Sequence, residues 1–193
     1  VFGQTNFDSV SSGLARNRMY FPTAIALDKA GRLWVTDALN NRVLRFDNAS
    51  AKTSGANADG VLGQADFVSK AEACTRNGMQ YTRGIAVDDK GTLYVSDQSN
   101  HRVLRFDNAA AKANGADADG VLGQPNFTSN KDTTLRGGMG IPRSLVVDPA
   151  GRLYVAVSGH NRVLRFDNAA TKANGADADA VLGQSSFTSA AVA

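Results

Sequence analysis

RVLRFDNA stands at Arg42–Ala49, at Arg102–Ala109 and again at Arg162–Ala169. Working outward from it, VLGQ opens at Val61, Val121 and Val181, and VFGQ opens at Val1. Between the two motifs lie IALDKAGRLWVTD (Ile25–Asp37), IAVDDKGTLYVSD (Ile85–Asp97) and LVVDPAGRLYVAV (Leu145–Val157). Both motifs advance in steps of 60 with no insertion or deletion. A fixed period of this kind marks a repeat architecture, in which each unit buries its apolar surface against the next.

Each unit reads as four short strands. Thr23–Leu27 is a small apolar run, as a strand buried on both faces should be. Asp28–Gly31 supplies an Asp-to-Gly turn that closes a hairpin. Arg32–Thr36 and Arg42–Phe46 follow, separated by the polar turn Ala38–Asn41. Both carry apolar residues on both faces, Trp34 opposing Leu33 and Val35, and Val43 opposing Leu44 and Phe46. A loop rich in Ala, Asn, Gly and Asp leads to a fourth strand over Val61–Phe67. Ala109–Ala113 has helix propensity, but Asn114-Gly115 stops it within one or two turns. Two-faced apolar strands need a neighbouring sheet on each side. A β-propeller provides that; a two-layer sandwich would leave one face of each strand polar.

The expected fold is therefore all-β, a β-propeller of four-stranded blades with three 60-residue blades per chain. The expected units are 1–21 (an extra fourth strand and lead-in loop), 22–67, 82–127 and 142–187. The second copy shows Asp88, Gly91, Leu93-Tyr94-Val95, Asp97, Asn100, Arg102-Val103 and Phe106-Asp107. This string resembles the NHL repeat, in the bacterial type whose repeats contain VLGQ. The first copy matches it as well, whereas the third has Val157 for the Asp and His160 for the Asn.

The net charge is +3, but most of the arginines recur at fixed repeat positions, which marks them as architecture rather than a nucleic-acid patch. Glu72 is the only Glu among 18 acidic residues, a bias that suits turns over helices. Cys74 is alone, so no disulfide forms within the chain and the compartment stays open, cytoplasmic or extracytoplasmic bacterial. No apolar run is long enough for a membrane-spanning helix.

Chemistry-bearing residues fall into four groups. Asp37 with Arg42 and Asp97 with Arg102 bracket a tight turn and read as a structural latch, which leaves Arg162 in copy three without its carboxylate partner. Asp117 and Asp119 form a fragment of a calcium loop, with an Asx-type turn as the competing reading. Arg83 and Arg143 begin strand one on the face that also carries the turns with Gln98, Asn100, His101 and His160. This face reads as a polar, cationic mouth for anionic or hydroxyl-rich groups, or else as scaffold. Arg16, Arg76 and Arg136 each precede a Met by three residues and read as loop anchors.

No catalytic constellation emerges, so no cofactor is expected beyond the calcium candidate. The leading expectation is a non-catalytic scaffold that binds a small ligand or protein, or assembles with itself. Some NHL-like propellers are lyases holding a metal in the central channel with His from several blades. A lyase or hydrolase of that kind is the second reading, and RNA binding ranks last because exposed aromatics are scarce. Three blades cannot close a ring. The expected partner is a second copy, closing six blades as a homodimer, or the missing blades of a longer parent chain.

Overall fold

The computed structural model describes residues 1–191 and places them in three antiparallel four-stranded sheets. The first sheet orders β1 (Pro22–Leu27), β2 (Leu33–Asp37), β3 (Arg42–Phe46) and β4 (Gly60–Leu62) sequentially. The second repeats this with β5 (Thr82–Val87), β6 (Leu93–Asp97), β7 (Arg102–Phe106) and β8 (Gly120–Leu122). The third comprises β9 (Pro142–Val147), β10 (Leu153–Val157), β11 (Arg162–Phe166) and β12 (Ala180–Leu182). The innermost strands β1, β5 and β9 lie side by side, so the sheets are successive blades of a β-propeller.

Local chemistry explains each boundary. In the β1–β2 hairpin, Asp28 Oδ1 accepts the Ala30 and Arg32 N–H groups (both 3.0 Å), while Gly31 takes the positive φ of 75° that the turn requires. The β2–β3 connection is a 3-10 turn, Ala38–Asn40, closed by Asn41 in the left-handed region. The fourth strand is shorter than the sequence suggests. It stops at Leu62 because Gly63 turns to φ 86°, where a Cβ would come 2.8 Å from Met79 Sδ. The Ala109–Ala113 stretch forms a single 3-10 turn, Ala109–Ala111.

The blades interlock through both faces of each sheet. Trp34, Val43 and Leu62 of the first blade pack with Ile85, Leu93, Val95, Leu104 and Phe106 of the second. Tyr94, Val103 and Leu122 of the second pack with Leu153, Val155, Leu164 and Phe166 of the third. The outward face of the first blade (Val35, Leu44, Phe46, Val61) is covered by Met19 and by Phe2 from the N-terminal segment. Hydroxyls add to this packing, with Ser96 donating to the Arg143 carbonyl (2.7 Å) across the second junction.

At the end of β2 lies the buried ion pair. Arg42 Nε donates to Asp37 Oδ2 and Arg102 Nε to Asp97 Oδ2, each at 2.7 Å with both side chains inaccessible to solvent. The other oxygen of Asp37 accepts the Tyr20 N–H (2.6 Å), and that of Asp97 the Gln80 N–H (2.7 Å). Arg102 also donates to the carbonyls of Thr75, Gly78 and Phe127, so one guanidinium ties the lead-in loop, β7 and the outer loop together. Burial pushes the Asp37 and Asp97 carboxyls above the ordinary Asp range, against the pull of their arginines and hydrogen bonds.

The third blade solves the same problem without the carboxylate. Val157 is buried among apolar side chains, and Arg162 reaches the carbonyls of Thr134, Leu135, Gly138 and Phe187. Its Nε finds no protein acceptor among the described residues, and burial holds the guanidinium below its usual range, partly opposed by Asp132.

Two stability tests follow from these pairs. Arg102→Met strands the buried Asp97 carboxylate and is expected to cost about 3–5 kcal/mol. Arg162→Met strands none and should cost clearly less in the same urea titration. Separately, Lys52, Lys112 and Lys172 bind Asp59, Asp119 and Asp179 (2.8–2.9 Å). Burial pushes these three carboxyls up, but the lysines and the N–H groups of Asp47, Asp107 and Asp167 outweigh it and hold them below the usual range. Their folded pKa values are depressed, so their stabilisation is present above the unfolded value of about 3.9 and is lost on acidification below it. Asp37 and Asp97, raised by burial, act in the opposite sense and blunt the loss. The melting temperature should therefore fall below roughly pH 4, and fall less steeply in a Lys52→Met, Lys112→Met, Lys172→Met variant.

Candidate functional site

Each lead-in loop delivers one residue in the left-handed region before its inner strand: Phe21 (φ 61°), Tyr81 (φ 55°) and Ile141 (φ 54°). Such a conformation costs on the order of 1–3 kcal/mol, and a β-branched Ile resists it most. The preceding blade holds it in place. Asn41 Oδ1 accepts the Tyr81 N–H (2.8 Å), and His101 Nδ1 accepts the Ile141 N–H (3.3 Å). The lead-in loops also bond to the 3-10 turns, as when the Ser99 N–H donates to the Gln80 carbonyl. Loops and turns therefore share one face of the propeller.

Behind these residues the inner strands line an open pocket of about 350 Å³. Arg83 and Arg143 both line it, with Thr23 and Ser144 as hydroxyl-bearing neighbours. The Arg83 guanidinium lies over the rings of Tyr81 (4.9 Å) and Phe21 (5.6 Å), and its Nε donates to Gln98 Oε1 (3.2 Å). Arg143 is exposed. Among the described residues neither arginine is in an ion pair, whereas Arg42 and Arg102 meet carboxylates. Gly84 keeps β5 and β9 close together, since a Cβ there would overlap the Arg143 carbonyl oxygen.

The other candidates lie elsewhere. Asn100 is buried, donating to Asp97 Oδ2 and the Ala73 carbonyl (both 2.9 Å), so it serves the latch and presents nothing to the mouth. His101 joins two blades through Ile141. His160, at the repeat position of Asn40 and Asn100, is buried with Nε2 2.7 Å from Asp132 Oδ1. Asp119 is bound by Lys112, and Asp117 sits 3.8 Å from Arg76 Nε. Among the described residues no three His, Cys, Asp or Glu side chains gather to hold a metal. Arg16, Arg76 and Arg136 donate to the carbonyls of Ala58, Ala118 and Ala178 and lie over Phe67, Phe127 and Phe187. The stacking of Phe21 and Tyr81 on Arg83 had no sequence signal, because it depends on left-handed residues that are neither Gly nor Asn.

Residues 25–177 match the SMP-30/gluconolactonase/LRE-like region, a family of the six-bladed propeller type. The chain belongs to this family. Among solved structures it is similar to hydrazine synthase of Kuenenia stuttgartiensis, with 15% identity and a TM-score of 0.53 over 95% of this chain and 40% of that one. Virginiamycin B lyase of Staphylococcus aureus matches at 15% identity and a TM-score of 0.47, over 77% of this chain and 38% of that one. At such identity the first likeness speaks for the propeller fold alone. This family member spans about 40% of the length of that structure.

The contact between inner strands can be tested directly. Gly84→Val is expected to force β5 from β9 and cost about 1–3 kcal/mol in denaturant unfolding, the usual penalty for overpacking. The equivalent Ala24→Val, whose neighbouring junction is spaced by the Thr23 and Thr36 hydroxyls, should cost less.

Proposed function

We propose that this chain is a non-catalytic, ligand-binding propeller segment that takes an anionic, hydroxyl-bearing group at the mouth formed by Arg83 and Arg143. One observation carries the reading: two arginines that form no ion pair among the described residues line a single pocket from neighbouring inner strands. Arg83 is held in place by two aromatic rings and Gln98. Arginine's fork of donors matches a carboxylate or phosphate and is little hydrated, so an oriented pair favours such a ligand. Ser144 offers a hydroxyl to a polyol. The cavity wall itself carries no carboxylate, imidazole or thiol that would transfer a proton or attack a substrate.

A second reading is supported by the family description, which includes a gluconolactonase. On that reading the mouth would bind a sugar lactone for hydrolysis. A metal in the channel does not fit the described donor set, since the cavity offers arginines, hydroxyls and backbone.

Sodium gluconate, a polyhydroxy carboxylate, is the probe for both. Calorimetric titration at fixed ionic strength should show binding, weakened about tenfold, or 1.4 kcal/mol, by Arg83→Gln and by Arg143→Gln. Equal binding by both variants would refute the assigned mouth. Hydrolysis of glucono-1,5-lactone above the spontaneous rate, with or without added divalent cations, would overturn the non-catalytic reading in favour of the second.

A further inference from the structure

The chain has two histidines, His101 and His160, and both act on one segment, the lead-in loop 132–141 that enters the third blade. His160 holds the start of that loop, with Nε2 2.7 Å from Asp132 Oδ1. His101, in the turn of the second blade, holds its end across the blade junction. There the Ile141 N–H donates to His101 Nδ1 at 3.3 Å. A backbone amide donates and cannot accept, so Nδ1 is bare and the neutral ring carries its hydrogen on Nε2. This bond therefore belongs to the neutral imidazole alone. Protonation sets one N–H against another.

The neighbouring junction makes the same contact without a titratable group. Asn41 Oδ1 accepts the Tyr81 N–H at 2.8 Å, and an amide oxygen remains an acceptor across the physiological pH range. Asn41, His101 and Asn161 share the left-handed backbone (φ 53°, 52° and 51°), so either residue type fits the position. Histidine alone of the two changes charge between about pH 5 and pH 8. The segment it holds is also the most mobile of its kind by sequence. Gly137, Gly138 and Gly140 stand where the second copy has Asn77, Gly78 and Gln80, and the first has Asn17, Arg18 and Tyr20. Ile141 itself is a β-branched residue strained at φ 54°, which favours departure once its N–H is released. Its carbonyl stays bonded to the Ser158 N–H and hydroxyl (3.2 and 3.0 Å), so the loop shifts without detaching.

Charged groups approach His101 from each neighbouring element. In its own hairpin Asp97 and Arg102 pair with each other at 2.7 Å. Glu72 is bound by Gln80, whose carbonyl accepts the Ser99 N–H of the same turn. Gln124 Nε2 donates to the carbonyls of both His101 and Lys131. On the third blade Asp132 pairs with His160, and Arg143 follows Ile141 by two residues. Of the two histidines, only His160 is in an ion pair among the described residues. No carboxylate there compensates a charged His101 for the bond it loses.

We propose that His101 is a pH-sensitive clasp on the mouth. Neutral, it fixes Ile141 and the start of β9; protonated, it releases them. Release shifts Arg143 relative to Arg83, so anion binding weakens in mild acid. That consequence rests on the mouth assigned above, whereas the clasp itself does not. Its sign is distinctive, because added positive charge alone would strengthen the binding of an anion. His160 is not the switch, since its contact with Asp132 gains an ionic component when the ring is protonated.

The test is amide hydrogen exchange by NMR on the full chain at about pH 7.5 and about pH 5.5, on either side of the histidine range. Gluconate calorimetry accompanies it under the same conditions at fixed ionic strength. The Ile141 amide is expected to lose at least about tenfold in protection factor at the lower pH, while the Tyr81 amide, held by Asn41, keeps its own. His101→Asn, which installs the residue of the other two copies, should protect Ile141 equally at both pH values. His160→Asn, matching Asn40 and Asn100, should leave the pH response in place. Gluconate should bind at least about threefold more weakly at the lower pH, as the competent fraction falls to about a third, and not in His101→Asn. Equal Ile141 protection at both pH values, or a loss that persists in His101→Asn, overturns the clasp. Affinity that holds or rises while Ile141 loosens overturns its control of the mouth. Absence of binding at both pH values refutes the mouth, and the clasp then stands or falls on Ile141 exchange.

Discussion

Every blade of this protein is a thin sheet with apolar side chains on both faces, so each buries its surface against the blades beside it. Burial of the aromatic at the middle of β2 and β6 shows the principle. Trp34 and Tyr94 are covered because the next blade lies against them, and Tyr154, on the last of the three described blades, is only partly buried. At about 25 cal/mol per Å² of apolar surface, these junctions outweigh any single polar contact in the chain. The strict 60-residue spacing follows, because each junction must present the same surfaces to the next.

The buried Asp–Arg pair plays a different part. Two charges taken out of water gain little net stability, but the arginine's several donors reach backbone carbonyls of the surrounding loops. Arg102 satisfies carbonyls from three loop positions at once. The third blade separates the two functions: Val157 dispenses with the carboxylate, and Arg162 keeps its carbonyl partners. The arginine is thus the organising group, and the carboxylate is the counter-charge that makes its burial cheaper. His160 and Asp132 replace the Asn–Asp contact of the other two blades.

The inner strands β1, β5 and β9 differ between copies, whereas β3, β7 and β11 are identical in sequence. Positions 23, 83 and 143 are Thr, Arg and Arg, although the surrounding strands are nearly the same in each copy. Thr23 spends its hydroxyl on the neighbouring strand, at the Thr82 and Arg83 carbonyls, whereas the Arg83 guanidinium lies over Tyr81 and Phe21 beside the pocket. The backbone strain at Phe21, Tyr81 and Ile141 gathers at the same mouth, and at Tyr81 and Ile141 it is held by hydrogen bonds from the blade before.

By itself the sequence determined the number of units, the order of strands, the hairpin at Asp28–Gly31 and the partnership of Asp97 with Arg102. All of these follow from residues close in the chain or repeated at a fixed interval. It also showed that VFGQ and VLGQ are one motif, and that Arg162 had lost its acid. Only the tertiary structure decided that Asn100 faces inward, that His101 serves the next blade, and that the fourth strand ends at Gly63 against Met79. The same is true of the Arg83 platform and the close approach at Gly84. Each of these depends on which side chain of one blade meets which backbone of another. That relation is set by the packing angle between sheets, and no local spacing of residues encodes it.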